Sequence, residues 1–273
     1  MSFVLNVEEG AEQSILAGDP VNETIYDIIS DVKGAPNLHM LTNFAYGSRV
    51  GYWRIADTLE RHGVTCTVNA CAQAFEETPW IAQDCVRRGY EITSHGYRWE
   101  AHGHMSKEFE RERIAKAVES LRRTSGRRPL GWHTRGPVST NTRSLVIEEG
   151  GFLYDSDTSE DDLPFLIDVG TREHVVLPYA SDTNDMQLQL ASGFRLARHM
   201  AEYCIDAFEC LYEEGGTVPK MMTVGLHTRV IGRAGRISAL EAILRHMRSK
   251  PGVWFATREQ IARHWLSKFG KYR

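Results

Sequence analysis

A chain of 273 residues that is 42% hydrophobic and 25% charged lies within the range of folded globular proteins and outside that of disordered, collagenous or fibrous ones. With 32 Lys and Arg against 36 Asp and Glu, the net charge of -4 leaves no basic surplus to neutralise a phosphate backbone or an anionic bilayer, which argues against nucleic acid and membrane partners. No run approaches the roughly 20 apolar residues of a membrane span, and the opening MSFVLNVEEGAE lacks the basic and apolar regions of a signal peptide, so a cytoplasmic protein is expected.

In chain order, apolar or β-branched runs predict strands at 3–7, 64–70, 90–94, 129–133, 152–156, 174–179, 221–227 and 253–256. Amphipathic stretches near 50–62, 76–88, 106–125, 140–149, 193–214, 236–249 and 257–268 predict helices between them. The clearest is 106–125: Ser106 and an acidic first turn open it, Ile114, Val118 and Leu121 share one face, and Gly126 ends it. Strand then helix, repeated without a Pro/Gly/Ser-rich linker, predicts one α/β domain over residues 1–273 with a parallel sheet. No GxGxxG or P-loop follows the first strand, and polar chemistry recurs after nearly every strand. Both features favour a closed or nearly closed (β/α) barrel over an open doubly wound sheet. The long stretch from Asp155 to Phe194, interrupted by one strand, is expected to supply functional loops. Cys66, Cys71, Cys85, Cys204 and Cys210 form no CxxC pair, so buried free thiols are expected rather than disulfides or a cysteine-held zinc.

Reactive side chains stand where the strands end. The first runs into Glu8 and Glu9, the third into His95, Arg98 and Trp99, and the fourth into His133 and Arg135. Asp155 and Asp157, then Asp182 and Asp185, then His227 and Arg229 follow later strands. In a barrel these positions converge at the C-terminal face, where such folds place their sites. Glu8 and Glu9 are adjacent, so along a strand they point to opposite faces; one is expected to serve the site and the other a structural contact. His102 and His104 are spaced like a metal pair, but Gly103 loosens the turn and an exposed loop is expected. Trp53, Trp99 and Trp132 read as core, with Trp99 and Trp132 also placed to wall a pocket for a flat ligand.

The motifs NVEEGAE, SILAGD, YGSRVGYWR, EITSHGYRW, RPLGWHTR, GGFLYDSDTSEDDLPF, LPYASDTNDM and KMMTVGLHTRVIGRAGR closely resemble the polysaccharide deacetylase superfamily. Within it they look like the branch of hydrolases acting on small cyclic amides, the bacterial imidases and the allantoinases of this fold. The resemblance spans residues 3 to 267 and implies a distorted (β/α) barrel of about seven strands and a tetrameric assembly. It also implies that an N-terminal arm precedes the first strand. The superfamily's sugar deacetylases hold a divalent metal with an Asp after strand 1 and a His-x3-His motif. Here those positions read Glu8-Glu9 and His95 through Trp99, and Trp cannot ligate. No metal is firmly implied, and a weakly held divalent ion such as zinc is the most that the pattern allows, because catalytic zinc usually takes three protein ligands.

The expected reaction is attack of water on a ring carbonyl of a cyclic imide, giving a half-amide; allantoin hydrolysis is the alternative and a metal-dependent sugar deacetylase the second. An imide nitrogen leaves more readily than a peptide nitrogen because the second carbonyl delocalises its charge. The chemistry asks for a base, an oxyanion donor and an acid for the leaving nitrogen. Glu9 is the candidate base with Glu8 as its fallback, and His95 and His227 are candidates to orient water or protonate the nitrogen. Arg98 and Arg135 are candidates to polarise carbonyls, and Asp157 and Asp185 to accept ring N–H groups or hold those Arg and His residues. Trp99, Trp132, His133 and Arg229 complete the expected substrate-binding set.

Overall fold

A computed structural model of the chain describes residues 1–24 and 31–271. The eight strands are β1 (Ser2–Val7), β2 (Thr67–Ala70), β3 (Glu91–Ser94), β4 (Gly131–Trp132), β5 (Tyr154–Asp155), β6 (Phe165–Val169), β7 (Arg172–Val176) and β8 (Thr223–His227). They form one curled sheet in the order β6-β7-β5-β4-β3-β2-β1-β8, parallel except for the β6–β7 hairpin. This is a distorted, incompletely closed (β/α) barrel. The free edge of β8 is covered by the chain that follows β7: Gly225 N–H donates to Thr183 O at 3.0 Å, Thr183 Oγ1 donates to Thr223 O at 2.6 Å, and Asn184 bridges Gly225.

The period of two along β1 sets what faces where. Phe3, Leu5 and Val7 pack outward into the main apolar core beneath the helices, whereas Asn6 and the following Glu8 turn inward. The inner side of the barrel is closed at the opposite end from the site by a polar plug and a small apolar cluster. Arg258 is fully buried and donates to Ser156 Oγ, Thr223 Oγ1, Leu177 O and Pro178 O at 2.6 to 3.0 Å, so most of its five donors are satisfied. Glu91, half-buried, accepts from Thr67 Oγ1 at 2.6 Å and Tyr154 Oη at 2.7 Å. Gly131 leaves room for the Tyr154 ring, which would collide with any β-carbon placed there.

The helices α1 (Leu38–Tyr46), α2 (Tyr52–Arg61), α3 (Ala72–Glu77), α4 (Pro79–Arg87), α5 (Lys107–Ser125), α6 (Thr142–Glu149), α7 (Ala197–Glu214), α8 (Ile237–Arg248) and α9 (Arg258–Phe269) cover the outside. In α5 the Ser106 side chain accepts from Phe109 N, and Gly126 closes the helix in the left-handed region. The stretch expected as one helix at 76–88 divides at Pro79, which has no N–H to continue α3 and stands at the first position of α4. Residues 253–256 form no strand. Ala256 N–H bonds Met1 O, but both edges of β1 are already taken by β2 and β8. Two elements escaped the periodicity: α1, capped by Asn37, and β6, joined to β7 through Gly170 at φ 72. Among the described residues no helix is long and apolar enough to cross a membrane.

Candidate active site

The C-terminal ends of β1, β3, β4, β5 and β8 meet over a cavity of about 520 Å³. Of the residues expected to act, Glu8, His95, Trp99, His133, Arg135, Asp157 and His227 line it. Glu8 stands at its centre: Oε1 lies 3.3 Å from His95 Nε2 and 3.5 Å from His227 Nε2, while Oε2 accepts from Arg229 at 2.6 Å. Glu8 Oε1 is buried and has no hydrogen-bond donor among the described residues. Two imidazole edges and one carboxylate oxygen therefore converge on one point.

The hydrogen bonds behind the rings fix their roles. His95 Nδ1 faces His133 O at 2.7 Å; a carbonyl only accepts, so Nδ1 carries a proton and Nε2 is the edge turned to Glu8. His227 Nδ1 meets Asp185 Oδ1 at 2.7 Å, and Asp185 Oδ2 is held by the N–H groups of His227 at 2.7 Å and Ile231 at 3.0 Å. Burial alone would lower the His227 pKa, but Glu8 and then Asp185 outweigh it and lift it to about 10. Burial alone would raise Glu8, but Arg229 and then His227 hold it well below the ordinary carboxylate range. The centre is thus a carboxylate beside an imidazolium, with the Nε2 edge of a second imidazole facing the same oxygen. His133 is kept neutral chiefly by burial and stacks between His95 (5.2 Å) and Tyr179 (4.4 Å) to form a flat wall.

Other expected residues stand behind this layer. Glu9, the candidate base, turns away from the cavity. Thr228 Oγ1 donates to its Oε1, Glu8 N–H donates to its Oε2 at 3.2 Å, and burial raises its pKa. Gly47, in the π-helical turn Gly47–Gly51, leaves the space that this carboxylate occupies. Arg98 is paired with Asp19 at 2.6 Å and with Glu12 O at 2.8 Å. Trp132 is fully buried and donates to Thr134 Oγ1 at 2.7 Å; Thr134 in turn donates to both oxygens of Asp157 at 2.7 and 2.6 Å. Asp185 and Arg229 do not line the cavity; Asp185 holds His227, and Arg229 holds Glu8 and lies against the Trp99 ring. His102 is buried against Glu110 at 3.0 Å while His104 is exposed, so they form no pair. All five cysteines are free, and Cys210 alone of them is exposed.

Asn6, Ser156, Tyr179 and Asn184 are among the cavity residues that the expected set lacks. The signal for Asn6 was a polar residue inside the apolar run FVLNV, and for Tyr179 the hydroxyl at the end of VVLPY.

A divalent metal does not fit this donor set. Trp99 presents a ring where a second histidine would ligate, and that ring lies 4.3 Å from the Arg135 guanidinium and 4.8 Å from that of Arg229. Arg229 also reaches Glu9 at 3.5 Å, so a fixed cation already serves both carboxylates.

The family model for polysaccharide deacetylase matches residues 33–151. A Schizosaccharomyces pombe protein described as a polysaccharide deacetylase is 38% identical over 98% of this chain and 90% of its own. A crystal structure from Pseudomonas aeruginosa PAO1, described as a polysaccharide deacetylase, superposes with a TM-score of 0.95 at 44% identity, covering 98% of this chain and 91% of that one. The crystal structure of PuuE allantoinase superposes with a TM-score of 0.95 at 42% identity, covering 98% and 90%.

Proposed function

Given that the chain belongs to the polysaccharide deacetylase family of hydrolases, we propose that it opens a ring C–N bond of a small cyclic amide by attack of water on the adjacent carbonyl. The observation that carries this reading is the convergence of Glu8 Oε1, His95 Nε2 and His227 Nε2 at the base of a cavity of small-molecule size. A water donating its protons to Glu8 Oε1 and His95 Nε2 is held with its lone pairs facing the cavity. Glu8 is too acidic to keep a proton, so it orients the water and the proton passes to His95. The new C–O bond forms as the carbonyl carbon becomes tetrahedral. When the C–N bond breaks, His227 donates the Nε2 proton to the ring nitrogen, and Asp185 keeps the imidazole oriented throughout. Arg135, whose Nε has no partner among the described residues, is poised at the wall for a second carbonyl.

The finer reading is a ureide of the allantoin kind. A bare imide ring offers one N–H and two carbonyls, whereas the cavity presents His133, Arg135, Ser159, Tyr179, Ser181 and Gln187. Polar groups left unpaired around a bound ligand cost about 1–3 kcal/mol each, so a ring with a polar tail suits the lining better. The likeness to PuuE allantoinase supports the same choice. The cyclic imide remains the second reading, favoured by the flat His95–His133–Tyr179 wall, which suits a fully planar ring. A homo-oligomer and a cytoplasmic location belong to the same proposal. Ring-opening assays on allantoin, hydantoin, dihydrouracil and succinimide, with and without chelator, test it. Turnover of allantoin unaffected by chelator is expected. Activity confined to N-acetylated amino sugars and abolished by chelator would refute the cyclic amide reading.

A further inference from the structure

We infer that the Tyr179 hydroxyl is the hydrogen-bond donor for the carbonyl oxygen that becomes the oxyanion, with its proton aimed into the cavity by two asparagines. The inference rests on the proposed hydrolysis, and its evidence is the bookkeeping of donors around one oxygen. Asn184 Oδ1 accepts the Met186 N–H at 2.9 Å, so its Nδ2 is the end that points at Tyr179 Oη, 3.3 Å away. Asn6 Nδ2 donates to Leu226 O at 3.1 Å, which fixes that amide as well, and it also donates to Tyr179 Oη at 3.1 Å. The two amides are oriented independently by backbone groups, and both spend a donor on the same phenol oxygen. An oxygen that accepts twice must offer its own proton elsewhere. Among the described residues no protein acceptor takes it.

The position suits the chemistry. Asn6 and Glu8 are two residues apart on β1, and Gly225 and His227 two apart on β8, so each pair faces the same side of the sheet about 7 Å apart. The phenol oxygen is seated against the lower member of each pair. A β-carbon on Gly225 would stand 2.5 Å from it, so the glycine creates the seat. Tyr179 lines the same cavity as Glu8, His95 and His227, so a carbonyl presented to water at Glu8 has the phenol within the same enclosure to receive its oxygen. Asn69 Nδ2 donates to Asn6 Oδ1 at 3.0 Å, so the bonds run in a chain from Asn69 through Asn6 to the phenol, each polarising the next. Burial, the largest influence, pushes the Tyr179 pKa up, which keeps the donor protonated.

Two substitutions test the assignment. Tyr179→Phe removes the donor and keeps the ring stacked on His133; kcat is expected to fall by about 10² to 10³ with KM little changed, the scale of one oxyanion donor. Asn184→Asp keeps the acceptor for Met186 N–H but turns the other end into a second acceptor, which draws the phenol proton out of the cavity. It is expected to lose kcat by a similar factor above about pH 7 with the tyrosine intact. Circular dichroism and melting of each variant check the fold. Wild-type turnover with Tyr179→Phe or Asn184→Asp within about threefold of it overturns the donor assignment and leaves the hydrolysis standing. A wild-type enzyme inert on cyclic amides and on N-acetylated sugars overturns both.

Discussion

Replacing Asp185 by Asn probes the charge that makes His227 an acid. His227 rises from its ordinary 6.5 to about 10, which at about 1.4 kcal/mol per tenfold corresponds to about 5 kcal/mol of preference for the imidazolium, supplied by Glu8 and Asp185 against burial. Asp185 is the partner in hydrogen-bond contact, at 2.7 Å, and an opposite charge that close is worth about 1–3 pH units. In the variant the amide oxygen stays with the N–H groups of His227 and Ile231, which places the amide N–H₂ opposite His227 Nδ1. A donor then faces a donor, and the imidazolium loses both the charge and the acceptor. The His227 pKa is expected to fall from about 10 to about 7. The ¹⁵N resonances of the ring, followed by NMR, report this without substrate. In the pH profile of kcat/KM the alkaline limb should move down by at least about two pH units, with a loss of about 10² at pH 9 and much less at pH 6. The sign for stability agrees: a raised histidine stabilises the fold fully below its ordinary pKa and loses that contribution as pH rises through the folded value. An alkaline limb and a ring titration unchanged from the wild type would remove Asp185 and His227 from the acid role.

The two adjacent glutamates should separate cleanly. Glu8→Gln takes the charge from the centre and is expected to lower kcat by about 10² or more, whereas Glu9→Gln, which keeps an acceptor for Thr228 outside the cavity, should change kcat by less than about tenfold, both read from steady-state kinetics. Glu12 is buried, accepts from Gly10 N–H at 2.6 Å, and is pushed up to about 7, mainly by burial. A raised carboxyl costs stability as pH climbs from its ordinary 4.5 to about 7, so Glu12→Gln is expected to stabilise the fold by about 3 kcal/mol at pH 8 and not at pH 4, measured by urea unfolding.

How far the sequence could be read follows from what kind of regularity each part uses. The strand-and-helix alternation, the Ser106 cap and the Gly126 stop are local patterns, and they reappear as α5 and the parallel strands. β6 has the right composition but lies within the long stretch whose turn is announced by Gly170 alone. The run at 253–256 has strand composition and no edge to pair with, a fact about β1, β2 and β8 that residues 253–256 do not contain.

At the site the same division applies, between the end of a strand and the direction in which a side chain leaves it. Strand ends are visible in the sequence, so His95, His133, Asp157 and His227 were found. Direction depends on the inward parity of each strand, and for β1 that parity is set by Asn6, the one polar residue in an apolar run. Had Asn6 been taken as the inward marker, Glu8 rather than Glu9 would have followed as the cavity carboxylate, two residues on. Arg229 and Arg98 could not be told apart by position either. Each follows a His at a strand end, yet Arg229 meets Glu8 at the centre and Arg98 meets Asp19 away from it. The difference lies at Trp99, whose ring stands 4.8 Å from the Arg229 guanidinium and 4.3 Å from that of Arg135. The charge that both glutamates face is therefore a guanidinium built into the chain, since Arg229 reaches Glu8 at 2.6 Å and Glu9 at 3.5 Å.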